Sequence, residues 1–390
     1  MINFQKRSHF YHEDEIQDIV NYLRDSDSLT KGDPLQKFES DLAKYLNLDH
    51  NRVIALTSAA NALELSAHIA QIDASDEIII PGHTYTASAY PFVKFTKNIK
   101  WADIDLDTRV VNFESIEPHL SPKTKLIVLV HLYGYMVDVE DIKSKIDENI
   151  LVLEDSAQSI GASLNGKKAG SLGDISVISF HAHKNMTTLG EGGVLILNKP
   201  ILDLEALRNL RHNGHASFNF SRDDYWLPAM GNLDLVELNG KPIMPFNFPL
   251  TDIQAITGSN LLKRVDGINT IKKNRAKEFI EAIRSITDRL VFNEDYSERN
   301  NYHLLVAMAN DSSRDEHIRN LYNLGLQTIV QYYPLYRYDF YKKLGLGKAH
   351  CPSTDHFFDN QISFPFSSIM SDDDFKKMLD ITKNYFSHLN

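Results

Sequence analysis

One cysteine, Cys351, is all the thiol this chain carries. A lone cysteine excludes an intramolecular disulfide, and no Cys/His array has zinc-site spacing despite 16 histidines. No metal is expected. Long apolar runs are missing too: none approaches the roughly 20 residues that span a bilayer. The opening stretch "MINFQKRSHFYHEDEIQ" lacks the apolar core of a signal peptide. A cytoplasmic protein without a membrane partner is therefore expected. Positive charge is in deficit, with 41 Lys and Arg against 52 Asp and Glu, a formal net charge of −11. That balance argues against a general nucleic-acid binder, which would present a basic face. It leaves room for a local basic pocket around a phosphate. No internal repeat or low-complexity linker is visible.

What remains is an ordinary globular composition, 43% hydrophobic and 24% charged over 390 residues. That length predicts two lobes. Ile16, Ile19, Val20 and Leu23 fall on one face of a helix over 13–24. A turn with Gly32 and Pro34 leads into a second amphipathic helix. Short apolar runs follow at 52–56, 77–81, 99–105, 125–132, 150–155, 175–180 and 193–197, with helical stretches such as 60–71 and 138–147 between them. Continuous apolar strands alternating with helices predict an α/β fold, a largely parallel sheet covered on both faces. The stretch 200–246 reads as a long irregular excursion rich in turn formers and aromatics. Phe218, Tyr225 and Trp226 within it argue for packing rather than disorder. A long helix is expected from about 251 to 287, then a smaller α/β lobe with an antiparallel sheet over 288–390. The division expected is a large domain over 1–250 and a smaller one over 251–390.

Open parallel sheets bind ligands at the carboxyl ends of their strands. Asp155 ends the run "ILVLED", Ser179 and His181 end "ISVISFH", and Lys184 follows at once. "LTSAANALELS" places Ser58, Ala59 and Ala60 between a strand and a helix, an anion-binding arrangement of free N–H groups and small side chains. Tyr85 follows another strand in "PGHTYTASAY". Together these parts suit pyridoxal phosphate. A lysine amine forms a Schiff base with an aldehyde. A carboxylate keeps a pyridine nitrogen protonated. A helix N-terminus holds a phosphate, and an aromatic stacks on the ring. Each part alone has a plainer reading: Lys184 as a loop lysine, Asp155 or Ser58 as a helix cap, Tyr85 as core, "GEGG" as a turn.

Across nearly its whole length the chain resembles the DegT/DnrJ/EryC1/StrS sugar aminotransferases, pyridoxal-phosphate enzymes of fold type I. The most specific match is "SFHAHKNMTTLGEGG" (179–193), supported by "DEIIIPGHTYTASA", "VHLYGYMVDVEDI", "EDSAQSIGASLNGKKAGSLGDISVISFH" and "NFPLTDIQA" in order. The resemblance implies that Lys184 is the Schiff-base and acid/base lysine and that Asp155 pairs with the pyridinium nitrogen. It places Gln158 by the ring, Tyr85 in the stacking position, and Ser179 with the Ser58–Ala59–Ala60 turn on the phosphate. Asn247 matches an asparagine that reaches the phosphate of a neighbouring subunit, so a homodimer with shared active sites is implied. His181, Gln331, Tyr332 and Tyr336 fall at substrate positions. This chain departs from the family at Ala59 and Ala60, at Pro249 where an arginine is usual, and at Gln331 and Tyr336 where histidines are usual. The related dehydratases carry histidine in place of the lysine. Here His183 is only the neighbour, and the position itself is Lys184.

The function this implies is transfer of an amino group, with glutamate as the expected donor, to the keto carbon of a nucleotide-linked deoxysugar. A small phosphorylated ketone or another keto compound is the alternative acceptor. A noncatalytic sensor of pyridoxal phosphate or a sugar nucleotide is the alternative of another class. Arg211 is a candidate for the donor-carboxylate clamp.

Overall fold

Seven apolar runs whose side chains are hydrophobic on both faces must be covered on both, and here they pair into one sheet. The computed structural model describes residues 1–4, 7–218 and 231–389. The strands are β1 (Val53–Leu56), β2 (Glu77–Pro81), β3 (Ile99–Ala102), β4 (Thr124–Val130), β5 (Leu151–Asp155), β6 (Ile175–Ser179) and β7 (Gly193–Leu197). Their order is β1-β7-β6-β5-β4-β2-β3. β7 is antiparallel to β1 and β6, and every other adjacent pair is parallel. Six strands therefore point one way and bring their carboxyl ends to one edge.

The helices of more than one turn before the excursion are α1 (Glu13–Asp25), α2 (Asp33–Tyr45), α3 (Ala59–Ile69) and α4 (Val139–Lys145). Strand residues alternate between two cores, as a period of two requires. Val53, Ala55, Ile178, Val194 and Ile196 pack with Phe38 and Leu42 of α2. Ile54, Leu56, Val177, Leu195 and Leu197 pack with Leu63 and Leu65 of α3. The apolar stripe of α1 joins neither core: Ile16 is 41% and Leu23 49% exposed. That helix is held instead by polar contacts, among them Tyr22 donating to Asp252 Oδ2 at 3.1 Å.

Two expectations need correction. The excursion contains a helix, α5 (Leu204–Arg211), capped by Asp203 and burying Leu207 and Leu210. At eight residues it is too short for its periodicity to stand out among turn formers. The single helix expected over 251–287 is two, α6 (Asp252–Leu262) and α7 (Val265–Arg284). Arg264 leaves helical geometry at φ −119°, ψ 3°. Its guanidinium holds the start of α1, through the Phe10 carbonyl at 2.9 Å and Glu15 Oε2 at 3.0 Å. The break lets α6 pack on the large sheet's core through Ala255 and Leu261, while α7 turns to the second lobe. There Phe279 and Ile283 meet β8 (Leu290–Phe292), β9 (Leu305–Ala309) and β10 (Gln361–Phe364), an antiparallel sheet. The closing helix α8 (Asp372–Ser387) packs on the same core through Phe375, Met378 and Phe386. Among the described residues no helix is long and apolar enough to cross a membrane. No group of His, Cys, Asp and Glu among them could hold a metal.

Candidate active site

The carboxyl edge of the sheet opens on a cavity of about 870 Å³. Ser58, Ala59, Ala60, Tyr85, Asp155, Gln158, Ser179, His181, Lys184, Gln331 and Tyr332 all line it, so most of the residues singled out from sequence meet in one place.

Lys184 is no surface lysine. Burial pushes its amine down from 10.5 to about 8, against the opposing charge of Asp155. Its loop is latched from behind by the N-terminal segment. Ser8 Oγ donates to the His183 carbonyl at 2.8 Å, and His9 Nε2 donates to the Lys184 carbonyl at 2.8 Å. A carbonyl only accepts, so His9 carries its proton on Nε2. Burial keeps that ring neutral, lowering it to about 4.

Asp155 is buried at the end of β5. Its Oδ1 accepts from the Ala157 N–H at 3.0 Å and its Oδ2 from the Ser88 hydroxyl at 2.7 Å. Gln158 is oriented by two contacts: Oε1 accepts from the Tyr133 N–H at 2.8 Å, and Nε2 donates to the Tyr332 hydroxyl at 3.2 Å. Tyr85 stands 59% exposed at the mouth, its ring 6.5 Å from that of Tyr332.

Ser58 fills its plainer role as well as lining the cavity. Its Oγ caps α3 by accepting from Asn61 N at 3.1 Å. The first N–H groups of a helix have no intrahelical partner. With Asn61 served, Ala59 and Ala60 remain at the open end of α3, against the cavity. "GEGG" is more than a turn. Gly190 takes φ +113°, and a Cβ on Gly193 would stand 2.2 Å from Ala59 N. Glycine at 193 is what lets β7 pass directly beneath the α3 terminus.

Three candidates lie elsewhere. Tyr336 does not line the cavity. Its ring packs under Gly82, and its hydroxyl donates to Asp355 Oδ1 at 2.6 Å. The chain turns there because Leu335 N bonds to the Gly82 carbonyl at 2.8 Å, carrying Tyr336 into the core. Arg211 is buried, its Nη1 donates to Glu39 Oε1 at 2.5 Å and to the Ala55 carbonyl at 3.1 Å, and it does not line the cavity. Asn247 lies exposed outside this chain's cavity, on a segment pinned by the Phe248 carbonyl accepting from Thr57 N at 2.8 Å. Of the aromatics noted in the excursion, Tyr225 and Trp226 lie outside the described residues.

The sequence reading missed Ser88, Tyr133 and His303, and the contribution of Phe4 and Ser8 from the chain's start. Ser88 sits inside the quoted "YTASA", three residues after Tyr85, where a small polar residue at a strand's carboxyl end was the available signal. Tyr133 adopts φ 61°, a strained value that only the fold reveals.

The donor set fits pyridoxal phosphate: a half-buried amine of lowered basicity, a buried carboxylate with two of its lone pairs already bonded, and a free helix N-terminus, all on one cavity. This fold and this set of groups define a pyridoxal-phosphate-dependent aminotransferase of fold type I. The chain belongs to the DegT/DnrJ/EryC1/StrS aminotransferase family, whose profile matches residues 11–383. Its relatives include the spore coat polysaccharide biosynthesis protein SpsC of Bacillus subtilis, 28% identical over 97% of this chain and 98% of that one. A GDP-perosamine synthase of Vibrio cholerae is 27% identical over 92% of each chain. Among solved structures, Spr1654 of Streptococcus pneumoniae in its PLP form superposes with a TM-score of 0.82 at 24% identity, covering 100% of this chain and 99% of that one.

Proposed function

We propose that this aminotransferase converts the keto group of a nucleotide-linked keto-deoxysugar to an amine, with glutamate as donor. The observation that carries the reading is the cavity itself. About 870 Å³ is near the upper end of small-ligand sites, which suits a cofactor together with a large acceptor. The related GDP-perosamine synthase supports a nucleotide-linked acceptor. A small phosphorylated ketone is the second reading, favoured by the absence of any arginine among the described residues lining the cavity and by Gln331 in a substrate position.

When bound, pyridoxal phosphate supplies an aldehyde for amines and a ring that accepts electrons. In this reading Lys184 would hold the aldehyde group through Nζ and would move the proton at the substrate carbon. Its lowered basicity leaves a share of the amine unprotonated at neutral pH. Asp155 would hold a proton on the ring nitrogen, and the Ser88 and Ala157 donors fix which way its oxygens face. Gln158 and Tyr85 would flank the ring. Ser179, Ser58 and the Ala59 and Ala60 N–H groups would receive the phosphate. His181, Gln331 and Tyr332 face the acceptor.

Asn247 serves a second copy of the chain. It is exposed, and Leu233, Leu235 and Met244 nearby present apolar surface that a homodimer would cover. In this reading the cofactor lobe is built on 1–250 with α6 packed against it, and the smaller lobe is built from the rest of 251–390 around α7 and its antiparallel sheet. A screen of nucleotide-linked keto sugars against small phosphorylated ketones, read by mass spectrometry of the aminated product, tests the reading. Amination of small ketones alone would overturn it in favour of the second.

A further inference from the structure

His303 lines the cavity beside Lys184, yet neither sequence motif nor the functional reading gives it a task. Its surroundings fix which nitrogen carries its proton. The chain of contacts starts at the Ile160 carbonyl, which can only accept. Asn269 Nδ2 donates to that carbonyl at 2.9 Å, so Asn269 turns its Oδ1 the other way. Asn185 Nδ2 donates to this Oδ1 at 2.8 Å, which turns Asn185 Oδ1 toward α7 and the 300–304 segment.

Two groups meet that oxygen. Lys272 Nζ donates to it at 2.9 Å and also to the His303 carbonyl at 2.7 Å. His303 Nδ1 lies 3.4 Å from it. Lys272 is buried on α7 and has only donors to offer there in its charged form. In its neutral form the amine still has two N–H bonds for these same two acceptors. The polarity of the network therefore holds in either state. Facing an oxygen that cannot donate, His303 Nδ1 must carry the hydrogen.

The groups that face His303 oppose a second proton. Burial comes first, and Lys184, Lys272, His183 and His181 add positive potential, together holding the imidazole well below its usual value. The ring is thus neutral, with one hydrogen, and that hydrogen is already placed.

We infer that His303 presents a bare Nε2 to the cavity as the acceptor for a hydroxyl or ammonium hydrogen of the bound substrate, its tautomer set by Asn269 and Lys272 through Asn185. The ligand class this selects is one with a hydrogen-bond donor close to the reacting carbon, and an anionic group placed there is disfavoured by the lone pair. The inference rests on the cavity being the substrate site. Lys272, Asn269 and Asn185 act through His303 and are positioning residues.

The test begins with cofactor-free protein carrying isotope-labelled histidine. Nitrogen NMR distinguishes the two tautomers and the charged ring, and His303→Gln assigns the signal. The expected result is a proton on Nδ1 and a bare Nε2, unchanged between about pH 8 and about pH 6, a range in which an ordinary histidine titrates. Removing both anchors of the Asn185 amide, in Lys272→Met with Asn269→Ala, frees it to flip and should populate the Nε2-protonated form, while Lys272→Met alone, with Asn185 still held by Asn269, keeps the wild-type signal. In the loaded enzyme, His303→Phe keeps a ring and loses both nitrogens. It should raise KM at least fivefold for the substrate that bonds there. An Nε2-protonated or charged His303 in the wild-type protein would overturn the inference, as would an unchanged KM for both donor and acceptor in His303→Phe. The tautomer is read without substrate, so failure of the acceptor assignment leaves that measurement standing, and failure of the tautomer leaves the acceptor screen standing.

Discussion

Ser88 donates its hydroxyl to Asp155 Oδ2 at 2.7 Å, both side chains being buried beneath the cavity. This bond fixes the orientation of the carboxylate. Ser88→Ala should slow turnover roughly fivefold to tenfold, about 1 to 1.4 kcal/mol in the barrier and the scale of a typical net hydrogen bond. Asp155→Asn should cost more, roughly a hundredfold, equivalent to about 2.7 kcal/mol in the barrier, because an amide cannot stabilise a protonated ring nitrogen. Both should melt within a few degrees of the wild type. A wild-type rate in the Asp155→Asn enzyme would reduce Asp155 to a structural carboxylate.

Lys184 gives the cofactor-free protein a defined pH dependence. Burial lowers its amine from 10.5 in the unfolded chain to about 8 in the folded one. Between those values the unfolded chain binds a proton that the folded chain lacks, so folding stability rises with pH across that window. Lys184→Met should flatten the rise. Denaturant titrations of both proteins at several pH values check the slope. A wild-type slope in Lys184→Met would place the charged amine in water.

Glu154, next to Asp155, is a structural carboxylate. Burial alone would raise it, but His131 Nε2 at 2.8 Å and the N–H groups of Gly170, Leu172 and Gly173 more than compensate, holding it down at about 2. His131 Nδ1 accepts from Val137 N at 3.0 Å, so the hydrogen facing Glu154 is on Nε2. With the folded value depressed from 4.5, the stability it contributes is present above pH 4.5 and lost as pH falls toward 2. Glu154→Gln should cost about 3 kcal/mol or more, since it strands buried donors. Urea melts at neutral pH measure the loss, and a change under about 1 kcal/mol would contradict it.

Asn247 should matter only in the assembled protein. Asn247→Ala is expected to weaken cofactor retention severalfold without changing the monomer's fold. Sedimentation and cofactor titration on the same sample read both quantities. Full cofactor affinity in the variant, or in a monomeric sample, would remove the asparagine from its neighbour's site.

The seven strands of the large sheet were legible because each is a short apolar run, several of them closing on a polar residue, as in "LVLED" and "ISVIS". The site was legible where a motif lies on one strand end, as with Asp155, Ser179 and Lys184. Tyr336 was misplaced because its neighbour Tyr332 does face the cavity. Only the backbone turn at Pro334 and Leu335, pinned to Gly82, sends Tyr336 the other way. The break between α6 and α7 was invisible for a similar reason. Nothing in "LLKRVDG" stops a helix, and what interrupts it is Arg264 reaching across to Phe10 and Glu15. His303 carries no local signal at all, since its partners come from positions 185 and 272.

The most direct measurement is transfer of isotope-labelled nitrogen from glutamate to a nucleotide-linked keto sugar by the wild-type enzyme and by Lys184→Ala. The account predicts labelled amino sugar from the wild type and none above background from the variant, with the variant folded as judged by its circular dichroism. Labelled product formed by Lys184→Ala at the wild-type rate would contradict it.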